Sequence, residues 1–165
     1  MAHMFTSLET YDFGKLVALQ GPSEHTNRIM QSLMDKLTAT SPVMVIDTNT
    51  AANLRYLPED ALKRILLATP YTAEELYNVV KKTEQAIEAT DARVLLITSI
   101  DHLLYDPNLD PHDAAFLLHE IMNEITKLTE LKDLITIIGL SNNKSSRALD
   151  IRKIIETKCH FLGEL

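Results

Sequence analysis

The stretch KLVALQGPSEHTNRIM, residues 15–30, decides the fold of this chain. Its first six residues form a largely apolar run that is typical of a β-strand buried on both faces of a sheet. Gly21-Pro22 then breaks the strand, and apolar residues recur at helical spacing from Ile29 to Leu37. A strand, a glycine turn and a helix in this order form the frame in which nucleotide-binding proteins carry the motif GxxxxGK[ST].

The motif positions themselves hold other residues. Counting from Gly21, the second glycine position holds Thr26, the lysine position holds Asn27 and the hydroxyl position holds Arg28. In a working loop the glycine lets backbone N–H groups approach the phosphates, the lysine neutralises phosphate charge and the hydroxyl binds Mg²⁺. We therefore expect a degenerate phosphate loop at Gly21, Pro22, Thr26, Asn27 and Arg28, with no nucleotide cofactor and no metal.

The rest of the chain alternates apolar runs with helical patterns. The box Thr72-Ala73-Glu74-Glu75 and the pair Asp110-Pro111 are typical helix starts, and the helix after Pro111 is expected to bury Phe116. Strands alternating with helices predict an α/β domain with a doubly wound, mostly parallel sheet flanked by helices. The strands are predicted at Leu16–Gln20, Val43–Asp47, Arg64–Ala68, Val94–Thr98 and Leu134–Leu140, and the tail KCHFLGEL is a candidate edge strand.

The 165 residues fit one domain, which we place at residues 13–165. Residues 1–12 are interpreted as an N-terminal segment that begins with a cloning-tag remnant, Met1-Ala2-His3-Met4. The apolar runs are short for a bilayer, so no membrane contact is expected. One cysteine, Cys159, suits a reducing compartment, and the predicted location is cytoplasmic.

The net charge of −7 argues against a surface built for nucleic acid. The segment from Asn142 to Lys158 is the exception, because it carries five basic and two acidic side chains and is therefore +3, leaving −10 elsewhere. Weak contact with single-stranded DNA or contact with a protein partner is predicted there, although no aromatic residue in the loop offers a base a stacking surface. The candidate contact residues are Asn142, Asn143, Lys144, Arg147, Arg152 and Lys153.

Three motifs after the first strand resemble the RecA/RadA recombinase superfamily, especially archaeal RadA- and RadB-type paralogues. VIDTNT, residues 45–50, is similar to the family's YIDTEG, with Asn49 in place of the catalytic glutamate. TSIDHLLY, residues 98–105, is similar to VDSITALY, with Thr98 in place of the magnesium-binding Walker B aspartate. GLSNNKSS, residues 139–146, resembles the family's TNQ strand end before a DNA-facing loop.

This resemblance covers nearly the whole chain from Phe13 and implies a RecA-like ATPase core whose nucleotide site is degenerate. It implies a non-catalytic recombinase paralogue that acts through protein contacts, as an accessory factor in DNA recombination or repair. The implied partner is an active RadA-type recombinase, or a second copy in a homodimer. Two alternatives stay open: a divergent ATPase using Arg28 and Asp101, and a RecA-fold regulator outside DNA repair.

Other polar groups have plainer interpretations. His112 and His119 share one helix face with Asp113 and Glu120, but a solvated face is favoured over a metal site because no third ligand is placed. Cys159-His160 is interpreted as part of the core. Asp101 is interpreted as a solvated loop carboxylate rather than a substitute magnesium ligand.

Overall fold

A computed structural model describes residues 13–165, which form one α/β domain. Six strands make a single sheet in the order β3-β2-β4-β5-β1-β6, and every pair of neighbouring strands is parallel. The strands are β1 (Lys15–Gly21), β2 (Val43–Ile46), β3 (Ile65–Ala68), β4 (Val94–Ile97), β5 (Ile135–Ser141) and β6 (Phe161–Glu164). The helices are α1 (Ser23–Leu37), α2 (Glu59–Leu62), α3 (Ala73–Thr90), α4 (Pro111–Leu131) and α5 (Ser146–Lys158).

The helices cover both faces of the sheet, which explains why the inner strands are continuously apolar. On one face, α3, α4 and α5 pack through residues such as Leu76, Ile121 and Ile154. On the other face, α1 packs through Leu33 and its apolar neighbours. The doubly wound parallel sheet predicted from the sequence is therefore confirmed, and its arrangement is consistent with a RecA-like fold.

The predicted strands and helix starts are confirmed to within one or two residues. The tail does form an edge strand, β6, which pairs with β1. Thr72 accepts a hydrogen bond from the Glu75 N–H at 3.1 Å, and Asp110 accepts one from the His112 N–H at 2.8 Å. Each of these caps satisfies a backbone donor that the first turn of a helix leaves free.

The expected burial of Phe116 is wrong, because its side chain is 61% exposed. Helix α4 turns Ala114, Leu118 and Ile121 toward the sheet, so Phe116 lies off the buried stripe. The long connections after β2 and β4 also hold short elements that periodicity does not reveal, helix α2 and a 3-10 turn at His102–Tyr105. In the part of the chain from residue 13 onward, no helix has the length and apolar character needed to cross a bilayer.

Candidate functional site at the carboxyl edge of the sheet

A crevice of about 390 Å³ opens where the parallel strands end. In open α/β sheets ligands bind beyond the carboxyl ends of the strands, which makes this crevice the candidate site. Its walls come from residues that follow β1, β2, β4 and β5. The lining residues are neutral and polar apart from a proline and one histidine: Pro22, Ser23, Asn49, Ser99, His102, Tyr105, Ser141, Asn142 and Asn143.

The connection between β1 and α1 is too short to wrap a phosphate. Strand β1 ends at Gly21 and α1 begins at Ser23, so Pro22 is the whole connection. Thr26, in the second glycine position, is 3% exposed and donates its hydroxyl proton toward the carbonyls of Gly21 and Pro22, at 3.4 and 3.2 Å. Of the residues expected to form a degenerate loop, Gly21 therefore ends β1, Pro22 caps α1, and Thr26, Asn27 and Arg28 lie within the first two turns of that helix, where Thr26 is buried.

Asn27 and Asn49, two of the residues that differ from the nucleotide-binding motifs, contact each other. The Asn49 amide, in the position of the catalytic glutamate, donates to Asn27 Oδ1 at 3.1 Å. Asn27 stands in the position of the phosphate-loop lysine, so two neutral amides meet where the resemblance places opposite charges. Arg28 is exposed on α1 and is not among the residues that line the crevice.

The carboxylate of Asp47 is occupied by donors from its own surroundings. It is 5% exposed and accepts hydrogen bonds from the N–H groups of Ala51 and Ala52 and from the Thr98 hydroxyl, each at 3.0 Å. Thr98 Oγ1 also accepts from the Thr48 N–H at 3.0 Å. Thr98, which the resemblance places at the Walker B position, thus ties the end of β2 to the end of β4.

Asp101 is fully buried, so the interpretation of a solvated loop carboxylate is wrong. Its Oδ1 accepts from the Ser99 hydroxyl at 3.0 Å and from the Ser141 N–H at 3.1 Å, and its Oδ2 accepts from the Ser141 hydroxyl. Several donors let a carboxylate stay buried without a cation, since each one replaces a bond to water. Asp101 therefore joins the ends of β4 and β5.

Tyr105 lies beside this carboxylate at the wall of the crevice. Burial and the neighbouring charge of Asp101 raise the pKa of Tyr105 above its ordinary value, because both disfavour the phenolate. Hydrogen bonding to Asp101 adds to this effect, while Ser141 and the charge of Arg147 oppose it. Because its pKa is raised, the phenol stays protonated at neutral pH and can donate a hydrogen bond.

The polar loop after β5 contributes both to the crevice and to the frame of the domain. Asn142 and Asn143 line the crevice, and Asn143 Oδ1 accepts the Ser145 N–H at 2.9 Å just before α5. The Arg147 guanidinium donates to the carbonyls of three residues in the connection between β4 and α4, at 2.9 to 3.2 Å: Leu104, Asp106 and Leu109.

The remaining basic candidates differ in how free they are to meet a partner. Arg152 makes ion pairs at 2.7 Å with both Glu156 and Glu164. Lys144 and Lys153 are exposed on the surface. Two arginines of the predicted contact are therefore engaged within the domain, and the two lysines are the cations available to a phosphate.

The other candidate groups lie away from the crevice lining. His112 and His119 are exposed on α4, and residues 13–165 contain no cluster of three or more potential metal-ligating side chains. His160 Nδ1 accepts the Leu16 N–H at 2.9 Å, so this side chain fastens β1 to the chain before β6. Burial raises the pKa of the Cys159 thiol, which lowers its reactivity.

The link between Asp101, Ser141 and Tyr105 is the part of the site that sequence reasoning missed. Its signal is a serine at the ends of two strands, Ser99 and Ser141, with a carboxylate two residues after the first. This pattern can be interpreted only once β4 and β5 are known to be neighbouring strands. Strand order, which the sequence alone does not supply, was the missing information.

Comparison of the sequence with models of known protein families and with curated proteins gives no match. The fold and the crevice define the chain as a doubly wound α/β domain, consistent with a RecA-like core, with a neutral polar site at the carboxyl edge of its sheet.

Proposed function

We propose that this protein is a non-catalytic member of the RecA/RadA superfamily that works through protein contacts, as an accessory factor in DNA recombination or repair. The observation that carries the proposal is the bonding of the substituted positions. Asn49 bonds to Asn27, and Thr98 bonds to Asp47. Each position where the resemblance expects a charge for nucleotide chemistry holds a neutral group that is used in a local contact.

The same geometry weighs against a divergent ATPase. That alternative needs Arg28 at the phosphates, but Arg28 is exposed and outside the crevice lining. It also needs Asp101 as a magnesium ligand, but this buried carboxylate is held by Ser99 and Ser141. Losing both the lysine and the metal ligand removes contacts worth on the order of several kcal/mol to a nucleotide.

One unsatisfied group supports a protein contact at the crevice. Asn49 Oδ1 is buried and finds no hydrogen-bond partner among residues 13–165. Leaving a buried acceptor unpaired costs about 1–3 kcal/mol. A docked partner would reach this shielded atom only after the Asn49 amide rotates, whereas the serine and asparagine side chains that line the crevice around Asn49 can exchange hydrogen bonds directly.

The first test is titration calorimetry with ATP and Mg²⁺. We expect no binding in the micromolar range, because neither a cation nor a flexible loop is present to surround the phosphates. The matched variants are Arg28→Ala and Lys36→Ala, which remove a cation near to and far from the start of α1. Micromolar binding by the wild type that Arg28→Ala abolishes and Lys36→Ala preserves would establish the ATPase alternative.

The second test identifies the pathway by affinity capture from native extract followed by mass spectrometry. Capture of a recombinase-type ATPase, lost when Asn142→Lys places a charge in the crevice, is the expected outcome. A matched Asn108→Lys variant places the same charge on an exposed connection outside the crevice. Capture of proteins from an unrelated pathway by the same surface would favour a regulator outside DNA repair.

A further inference from the structure

The two edge strands of the described sheet differ in how they are protected. In β6, Glu164 is exposed and ion-paired with Arg152. In β3, the strand reads Ile65-Leu66-Leu67-Ala68 and carries neither a charge nor a proline. Natural edge strands commonly use charges or prolines to prevent pairing with another chain. The unprotected edge is therefore β3.

Apolar side chains are exposed along this edge and at both of its ends. Leu67 is 42% exposed, although the strand has the composition of a core strand. Leu62, before the strand, is 39% exposed, and Tyr71, after it, is 75% exposed. Water therefore contacts one leucine within β3, and one apolar side chain beyond each of its ends.

The backbone of β3 also offers free pairing groups. The carbonyls of Arg64 and Ala68 accept hydrogen bonds from the N–H groups of Val43 and Asp47, each at 2.8 Å, on the side of β2. Backbone groups of successive strand residues point to alternate sides. The N–H and C=O groups of Ile65 and Leu67 consequently point away from β2, where no strand among residues 13–165 pairs with them.

We propose that β3 pairs antiparallel with β3 of a second copy of this chain, about a two-fold axis through Leu66. In this register Ile65 of each copy lies opposite Leu67 of the other, and each such pair exchanges both of its N–H···O bonds. The contact is isologous, because the same surface serves both copies and the assembly closes at two. The sheet then continues from one copy into the other.

Charge at the ends of the strand selects the antiparallel arrangement. Lys63 is exposed at the amino end of β3, where it also pairs with Glu59 of its own chain at 3.1 Å. Beyond the carboxyl end, the Glu75 carboxylate accepts the N–H of Tyr71, three residues after the strand, at 2.6 Å. Antiparallel pairing brings Lys63 of one copy toward Glu75 of the other, whereas parallel pairing would place like charges together.

This surface is separate from the one assigned to the proposed function. The crevice is lined by residues after β1, β2, β4 and β5, and β3 contributes none of them. Two copies joined at β3 therefore keep both crevices open. Failure of the dimer would leave the proposal of a non-catalytic paralogue untouched, and nucleotide binding would leave the dimer untouched.

The experiment is sedimentation equilibrium over a concentration series. We expect a species of twice the 18.6 kDa chain mass. Leu67→Lys should raise the dissociation constant by at least about tenfold, because it places a charge against the strand of the second copy. Leu131→Lys changes a leucine on α4 that is more exposed than Leu67, 67% against 42%, and should leave association unchanged.

A charge variant tests the orientation of the pair. Lys63→Glu brings two acidic groups together in the antiparallel arrangement and should weaken association about twofold to fivefold, more at low than at high salt. Lys81→Glu, on the exposed surface of α3, is the control. Strengthened association by Lys63→Glu would overturn the antiparallel arrangement.

Hydrogen exchange supplies a readout that needs no variant. The amides of Ile65 and Leu67 should exchange more slowly as protein concentration rises, while the amide of Leu66, which faces β2, should not change. A chain that stays monomeric at millimolar concentration, a dimer indifferent to Leu67→Lys, or an open series of higher oligomers would each overturn the proposal.

Discussion

Three residues toward the carboxyl edge of the sheet, Gly139, Thr26 and Thr98, pack so closely that there is no room for a side chain at position 139. Gly139 in β5 lies under Thr26 of α1 and beside the backbone of Thr98. A Cβ atom on residue 139 would be 2.0 Å from the Thr98 carbonyl oxygen and 2.9 Å from the Thr26 methyl group. A glycine at this place lets α1 and β4 approach β5 closely.

This packing predicts a large effect for Gly139→Ala. The clash is with backbone, which cannot rotate away, so we expect a loss of about 3 kcal/mol in the free energy of unfolding. Gly163→Ala is the control, because its added Cβ atom would meet flexible side-chain ends of Leu19 and Phe161 at 3.2 Å. Urea denaturation of both variants measures the difference, and equal stabilities would contradict the close approach.

At the scale of elements, apolar runs bounded by turn residues predicted five of the six strands in the described sheet, and the tail KCHFLGEL was a candidate for the sixth, β6. These runs are reliable because a parallel strand covered on both faces must be apolar at each position, as in Val43–Ile46. The misplacement of Phe116 shows the limit of periodicity, since one helix has more apolar positions than its buried stripe can hold. The short elements after β2 and β4 depend on tertiary contacts and leave no periodic signal.

The candidate site was predictable in position but not in its internal bonding. The turn at Gly21-Pro22 predicted a crevice at the edge of the sheet where the structure places one, while the comparison with nucleotide-binding motifs stays a prediction. The contacts of Asp101 and Arg147 could not be foreseen, because each bridges segments about 40 residues apart in the chain. Pairing at that separation depends on strand order.

The contacts of Arg147 lead to a prediction about the stability of the connection between β4 and α4. Its guanidinium donates hydrogen bonds to three carbonyls of the connection between β4 and α4. A hydrogen bond from a charged donor contributes about 1.5–3 kcal/mol to the free energy of unfolding. Arg147→Ala should therefore lower the free energy of unfolding by about 2 kcal/mol and speed amide exchange between residues 102 and 109. Lys153→Ala, exposed on the same helix, should do neither. If amide exchange is unchanged in Arg147→Ala, the arginine does not hold this connection in place and is a free surface cation.

At the scale of the whole molecule, the distribution of charge limits what the chain can bind. The +3 segment from Asn142 to Lys158 lies on a domain that is −10 elsewhere. Within that segment Arg147 and Arg152 are engaged by carbonyls and carboxylates of the same domain. The positive charge that a polyanion could reach is consequently smaller than the sequence count suggests.

The last prediction concerns single-stranded DNA. With Lys144 and Lys153 as the available cations, about two phosphates can be neutralised, so log K should fall with log salt at a slope of roughly 1.4. The acidic remainder repels DNA most at low salt, where screening is weakest. We therefore expect weak binding at low salt, and no measurable binding by the isolated chain at about 150 mM salt.

Fluorescence anisotropy with a labelled oligonucleotide measures both the affinity and its dependence on salt. Lys144→Ala with Lys153→Ala should abolish the low-salt signal, whereas Lys63→Ala with Lys81→Ala should preserve it. Tight binding at physiological salt, or a slope several times steeper, would show that DNA recruits cations that the folded domain now holds in internal contacts.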